Sequence, residues 1–111
     1  MKSLLKLLMA SMACVVGIHA AQAQTNWPNR PIKLVVPYGP GSSPDVIARI
    51  ISDKLSARLG QPVVIDNRIG AGGNTGTGSV AKAAGDGYTF LISTNGPLVY
   101  NTVLYKKLSY D

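Results

Sequence analysis

Residues Ile32–Ile65 read IKLVVPYGPGSSPDVIARIISDKLSARLGQPVVI, and this stretch decides the fold. Ile32-Lys33-Leu34-Val35-Val36 is a short β-branched run stopped by Pro37, the pattern of a buried strand. Pro37–Pro44 is a run of turn-forming residues. Val46, Ile47, Ile50, Ile51, Leu55 and Leu59 then recur at helical spacing and predict a helix with those residues toward the core. Ser43 is placed to cap it, with Pro44 in the first helical position, where its missing N–H costs nothing. Asp45 and Arg58 suit the two ends of the helix dipole. Gly60 ends the helix and Pro62 blocks its restart. Pro62–Ile65 is the second strand.

The pattern continues outward. Asp66–Gly73 (DNRIGAGG) is a second loop, and Thr75–Ala84 is a predicted helix. Gly76 and Gly78 weaken that helix, each by roughly 1 kcal/mol relative to Ala. Gly85-Asp86-Gly87 is a turn, Tyr88–Ile92 a third strand, Ser93–Pro97 a third loop and Leu98–Tyr105 a short helix. Strand, helix, strand, helix, strand predicts an α/β fold with a parallel βαβαβ sheet and right-handed crossovers. The strands are apolar on both faces, as a sheet covered on both sides requires.

The 111 residues hold one small domain. They are 46% hydrophobic and 14% charged, which excludes a disordered tail. Upstream of the fold, Lys2 and Lys6 lead into an apolar run from Leu7 to Ile18 that ends at Ala21-Gln22-Ala23. This is a basic n-region, an apolar h-region and a small-residue cleavage site, so residues 1–23 read as a secretory signal peptide cleaved near Ala23. The run is too short for a membrane span of about 20 residues. A lipid attachment at Cys14 is disfavoured, because Ser11-Met12-Ala13 lacks the aliphatic residue expected before such a cysteine. Removing 23 of the 111 residues leaves 88, starting at Gln24. The formal charge falls from +6 to +4 as Lys2 and Lys6 leave. Cys14 and His19 leave too, so the exported chain has neither a Ser-His nor a Cys-His nucleophile pair. It also has no zinc cluster, no Glu, and five scattered Asp. An enzyme is the weaker hypothesis. Basic residues are dispersed apart from Lys106-Lys107, so there is no nucleic-acid stripe.

In an open parallel sheet the ligand crevice lies at the carboxyl ends of the strands. Three loops end there: Tyr38–Ser43, Asn67–Gly73 and Ser93–Gly96. Two of them run into helix N-termini, and glycine-rich turns expose N–H groups to anions. A small acidic solute held by backbone N–H and hydroxyl groups fits this pattern, as do three ordinary β-to-α turns. Gly70–Gly76 looks like a dinucleotide fingerprint, but Asp86 precedes the next strand instead of following it, so no such cofactor is expected. Arg68 either meets a carboxylate or pairs with Asp66. Asp45 either touches a ligand or braces the first loop. Trp27 reads as a packing anchor rather than a stacking platform.

Residues 27–38 (WPNRPIKLVVPY) resemble the opening of tripartite tricarboxylate transporter substrate-binding proteins, the Bug family of periplasmic receptors. Asp45-Val46-Ile47-Ala48-Arg49, residues 60–68 (GQPVVIDNR), 70–74 (GAGGN), 86–89 (DGYT) and 104–111 (LYKKLSYD) continue the match in order. The resemblance implies one part of a two-lobed, Venus-flytrap-like receptor of type II periplasmic-binding-protein type. It would capture a carboxylated metabolite and deliver it to the membrane subunits of the transporter, acting as a monomer when complete and using no cofactor. The loops carried over hold Tyr38, Gly41, Ser42, Ser43 and Asp45, then Ala71, Gly72, Gly73 and Asn74, then Ser93, Thr94 and Asn95. A side chain at Gly73 is expected to weaken binding with the fold intact.

Gly41-Ser42-Ser43-Pro44-Asp45 departs from the family, whose first loop is richer in glycine, and Pro44 removes one N–H donor. Family members continue well past this length. The expectation is therefore an N-terminal fragment, residues 24–111 forming the first part of lobe one, marginally stable and a poor binder alone. The alternative is an exported remnant with no ligand.

Overall fold

The computed structural model describes residues 26–110. The predicted signal peptide and its cleavage site lie outside the described residues. Strand β1 (Ile32–Val36) leads into helix α1 (Ser43–Leu59), then β2 (Val63–Asn67), a 3-10 turn (Ala71–Gly73) and helix α2 (Asn74–Ala81). Strand β3 (Thr89–Leu91) follows, then a π-helical turn (Gly96–Tyr100) that runs directly into α3 (Asn101–Leu104). All pairings are parallel and the strand order is β2-β1-β3. Leu34 sits opposite Ile65 on one side and Phe90 on the other. Right-handed crossovers to opposite sides of β1 put α1 and α2 on opposite faces. Among the described residues no helix is long and apolar enough to cross a membrane.

The first strand is the core. Ile32, Leu34, Val35 and Val36 are all at most 6% exposed. Burying each contributes about 2 kcal/mol before the cost of ordering the chain. Leu34 and Val36 pack with Ala48 of α1, and Tyr38, Val63, Ile65 and Ile92 close around them.

Helix α1 corrects the expected core face. The buried residues are Pro44, Asp45, Ala48 and Ser52, whereas Ile47 and Ile50 are 54% and 58% exposed. Six large aliphatics spread over too wide an arc to face one sheet. The face that wins is the one whose small residues let the helix axis approach β1 and β2 closely. The predicted ends hold: Arg58 lies in the last turn and Gly60 is left-handed, its N–H donating to the Ser56 carbonyl at 3.0 Å. The start shifts. Ser42, not Ser43, occupies the capping position, and its side chain makes no capping bond.

Helix α2 ends at Ala81, short of the predicted Ala84. Its glycines are close approaches rather than weak points alone. A Cβ on Gly76 would lie 2.7 Å from Pro37 Cβ and 2.8 Å from the Arg68 carbonyl oxygen, so only glycine lets α2 meet β1's exit.

Candidate functional site

Because β1 is central, the chain leaves it toward β2 and later returns to pair β3 on its other side. The point where direction reverses, at the carboxyl ends of β1 and β3, is where a crevice opens. The Tyr38 side chain stands there. Its hydroxyl is 2.6 Å from Thr94 Oγ1, joining the first loop to the third. A Cβ on Gly73 would lie 3.3 Å from the same hydroxyl, and one on Gly96 3.6 Å from it. One phenolic oxygen is thus the meeting point of all three loops.

The first loop is held from below. Asp45 is 1% exposed, and its carboxylate accepts the Gly41 N–H at 2.8 Å, Arg49 Nε at 2.9 Å and Nη2 at 3.1 Å, and Asn67 Nδ2 at 2.9 Å. Arg49 first, then Gly41 and Asn67, hold this carboxyl far below the ordinary carboxylate range. Its lone pairs are spent within the protein, so Asp45 braces the loop and does not offer itself to a ligand. Asn67, which pattern reading missed, ends β2 and also donates to the Tyr38 carbonyl at 2.9 Å. Arg68 pairs with Asp66 at 2.9 Å, which satisfies the simpler of its two readings.

The second loop is backbone chemistry. Ala71, Gly72 and Gly73 have φ of 48°, 63° and 94° in succession. Three left-handed residues in succession make a tight turn, which the Gly73 N–H closes by donating to the Gly70 carbonyl at 2.9 Å. Holding Ala71 there costs roughly 1 kcal/mol. Ala71 and Gly72 are exposed, while Gly73 is buried against Pro97, whose Cγ would be 2.5 Å from a Cβ at that position. The expectation that a side chain at Gly73 spares the fold is therefore corrected. Asn74 is buried, and its Oδ1 accepts from Asn101 and Tyr110 rather than facing solvent.

In the third loop, Asn95 donates to the Tyr100 hydroxyl at 3.0 Å. Ser93 Oγ is buried without a hydrogen-bond partner, and so is Ser42 Oγ in the first loop. Ser43 is exposed at the head of α1. The arrangement offers N–H groups and hydroxyls, with both nearby arginines already paired. Such an arrangement has the chemistry to hold an anion by directed neutral donors.

Two other features take different roles. Asp86 pairs with Arg30 at 2.7 Å ahead of β3, at the amino end of the strand and not the carboxyl end where the acid of a dinucleotide site sits. An apolar groove of about 350 Å³ beside α1, lined by residues such as Trp27, Leu55, Phe90 and Ile92, offers no donor to an acid. A carboxylate there would lose its hydration without compensation.

Residues 47–111 match the sequence profile described as the tripartite tricarboxylate transporter family receptor. The chain is 49% identical over 105 residues to a UPF0065 protein of Bordetella bronchiseptica, covering 95% of this chain and 31% of that one. It is 46% identical to the protein BugT of Bordetella pertussis, over 85% of this chain and 29% of the relative. Among solved structures, R. palustris Rpa4515 with adipate superposes with a TM-score of 0.74 at 45% identity, covering 78% of this chain and 29% of that one. MatC from Rhodopseudomonas palustris with bound malate gives 0.72 at 38% identity, covering 76% and 29%. The chain thus spans under a third of the length of these relatives, and its sheet corresponds to part of one lobe of a periplasmic-binding-protein fold.

Proposed function

The chain belongs to the tripartite tricarboxylate transporter receptor family, and on that premise we propose that it carries the carboxylate-binding crevice of a periplasmic receptor feeding such a transporter. The family is one of substrate-binding receptors, not enzymes. Residues 1–23 serve as the export signal, and residues 24–111 form the first part of the first solute-binding lobe. The solute is a small carboxylate of the kind seen with the two R. palustris proteins, adipate and malate.

The observation that carries the reading is the Tyr38 hydroxyl, where three strand-end loops meet, together with the buried, partnerless hydroxyls of Ser42 and Ser93 on two of those loops. A buried polar group without a partner costs about 1–3 kcal/mol, and a ligand oxygen that accepts from it recovers that cost. The carboxylate lies against Tyr38, Gly41, Ser42 and Ser43, the exposed backbone of Ala71 and Gly72, and Ser93, Thr94 and Asn95. Asp45, Gly73 and Asn74 support it from behind.

Calorimetric titration of the complete two-lobed receptor with mono-, di- and tricarboxylates tests this. Ser93→Ala should weaken binding of the preferred acid about fivefold, one neutral hydrogen bond's worth. The melting temperature should hold, because that hydroxyl bonds to nothing in the free chain. Failure of every carboxylate to bind, or parental affinity in Ser93→Ala, refutes the assignment.

A further inference from the structure

Behind the second and third loops lies a polar cluster that the crevice itself does not use. Asn101 Nδ2 donates to Asn74 Oδ1 at 2.6 Å and to the Gly72 carbonyl at 3.3 Å. The Tyr110 hydroxyl is 2.7 Å from Asn74 Oδ1 and 2.7 Å from the Pro97 carbonyl, its one proton lying between these two acceptors. Asn74 and Asn101 are 8% and 7% exposed. Four separate stretches meet here: the glycine turn, the start of α2, the helix after β3, and the chain beyond α3.

We infer that Asn101 and Tyr110 are positioning residues which set the spacing between the second and third ligand loops, with Asn74 as the shared acceptor between them. This rests on the carboxylate-crevice reading above and deepens it. The chemistry is specific. Asn74 Oδ1 has two lone pairs and takes two donors, so it is saturated. Asn101 spends one N–H on Asn74 and the other on Gly72, the exposed glycine of the turn. Tyr110 ties the same acceptor to Pro97, whose ring would sit against any side chain at Gly73. Moving Tyr110 or Asn101 therefore changes the gap between Gly72 and the third loop, although neither side chain is part of the Tyr38–Thr94 contact. Burial, the largest influence, raises the Tyr110 phenol above its ordinary value, which keeps the hydroxyl protonated and able to donate.

Tyr110→Phe deletes the donor and keeps the ring. Asn101→Ala cuts the arm to Gly72 and leaves Tyr110 on Pro97. Arg30→Ala, at the opposite end of the sheet, lowers stability without touching the cluster. Malate and adipate affinities are measured on the complete two-lobed receptor well below every melting transition, with backbone amide spectra of the free proteins. Each cluster variant should lose about fivefold in affinity, the worth of one hydrogen bond. Each should also displace the Gly72, Gly73 and Gly96 amide resonances, while Arg30→Ala keeps parental affinity and resonances. Parental affinity in both cluster variants overturns the inference, even if they melt lower, because a purely structural role predicts that result. A parent that binds neither acid defeats the carboxylate reading for these two probes. The positioning claim is then decided by the amide spectra: displaced Gly72, Gly73 and Gly96 signals uphold it, and shifts confined to Asn74 and Leu98 overturn it.

Discussion

The two ends of this sheet are built on opposite plans. At the amino ends of the strands, Trp27–Arg30 folds over Asp86–Tyr88 and nearly every polar group there finds its partner within the protein. Trp27 Nε1 donates to the Gly87 carbonyl at 3.2 Å, Arg30 meets Asp86 at 2.7 Å and lies 4.1 Å from the Tyr88 ring centre, and the Tyr88 hydroxyl donates to Asn29 Oδ1 at 2.9 Å. At the carboxyl ends, three residues in succession hold left-handed backbone, and the Ser42 and Ser93 hydroxyls have no partner, with Thr77 Oγ1 inside α2 a third. Strain and unmet hydrogen-bonding capacity at this end are what the proposed ligand would complete. Arginine clamps serve both ends, Arg30 on Asp86 at one and Arg49 on Asp45 at the other, and the partnerless Ser42 and Ser93 hydroxyls belong to the second.

That contrast breaks most visibly at Gly73. Gly73→Ala places a methyl group 2.5 Å from Pro97 Cγ on a backbone with φ of 94°. Overpacking and left-handed strain together should destabilise by about 3 kcal/mol, read as a lower thermal midpoint. An unchanged midpoint would mean that the loops are not in contact. Asp45→Asn comes next. The carboxyl of Asp45 is held far below its ordinary value of about 3.9, so the stability it lends is complete above about pH 5. That stability is lost as pH falls through the lowered folded value. The midpoint gap between parent and variant should stay constant from about pH 8 to 5 and narrow below about pH 4. A gap equal at pH 3 and pH 7 would show that the carboxylate is not the brace. The smallest effect sits at the other end. Arg30→Ala removes an exposed ion pair and a cation–π contact, each worth about 0.5 kcal/mol, and should leave carboxylate affinity untouched. A fall in affinity there would join the two ends that the structure keeps apart.

The strand-helix-strand order was legible because Ile32–Val36 and Val63–Ile65 are short apolar runs bounded by proline and glycine, signals that tertiary context rarely overrides. The helix face was not legible. Periodicity reports where large aliphatics recur, whereas burial of α1 was settled by Ala48 and Ser52, small residues that carry no hydrophobic signal. Gly76 and Gly78 read as helix weakeners because a local scale cannot see Pro37 or Ser109 across the fold. The three loops were legible from topology alone. The division of labour inside them was not: Asp45 and Asn74 carry the right chemistry for a ligand, but partners 4 to 36 residues away consume it. Asn67, Asn101 and Tyr110 gave no signal, since a lone amide or phenol acquires a role only from what the fold brings to it.

The order β2-β1-β3 also sets a sequence of events in time. Ile32 pairs with Val63 and Lys33 with Thr89, so the first strand made is the last to be enclosed on both sides. Among the described residues no hairpin starts the sheet. Helix α1 is the longest local element, and bringing its ends together delivers β2 to β1. The second closure spans nearly twice as much chain, which adds only about 0.5 kcal/mol of loop entropy. It must wait for the first, because β3 docks on a strand that α1 has already fixed in place. The prediction for refolding is one slow collapse gated by β1–β2 pairing, with the Tyr38–Thr94 contact, and therefore the crevice, closing last.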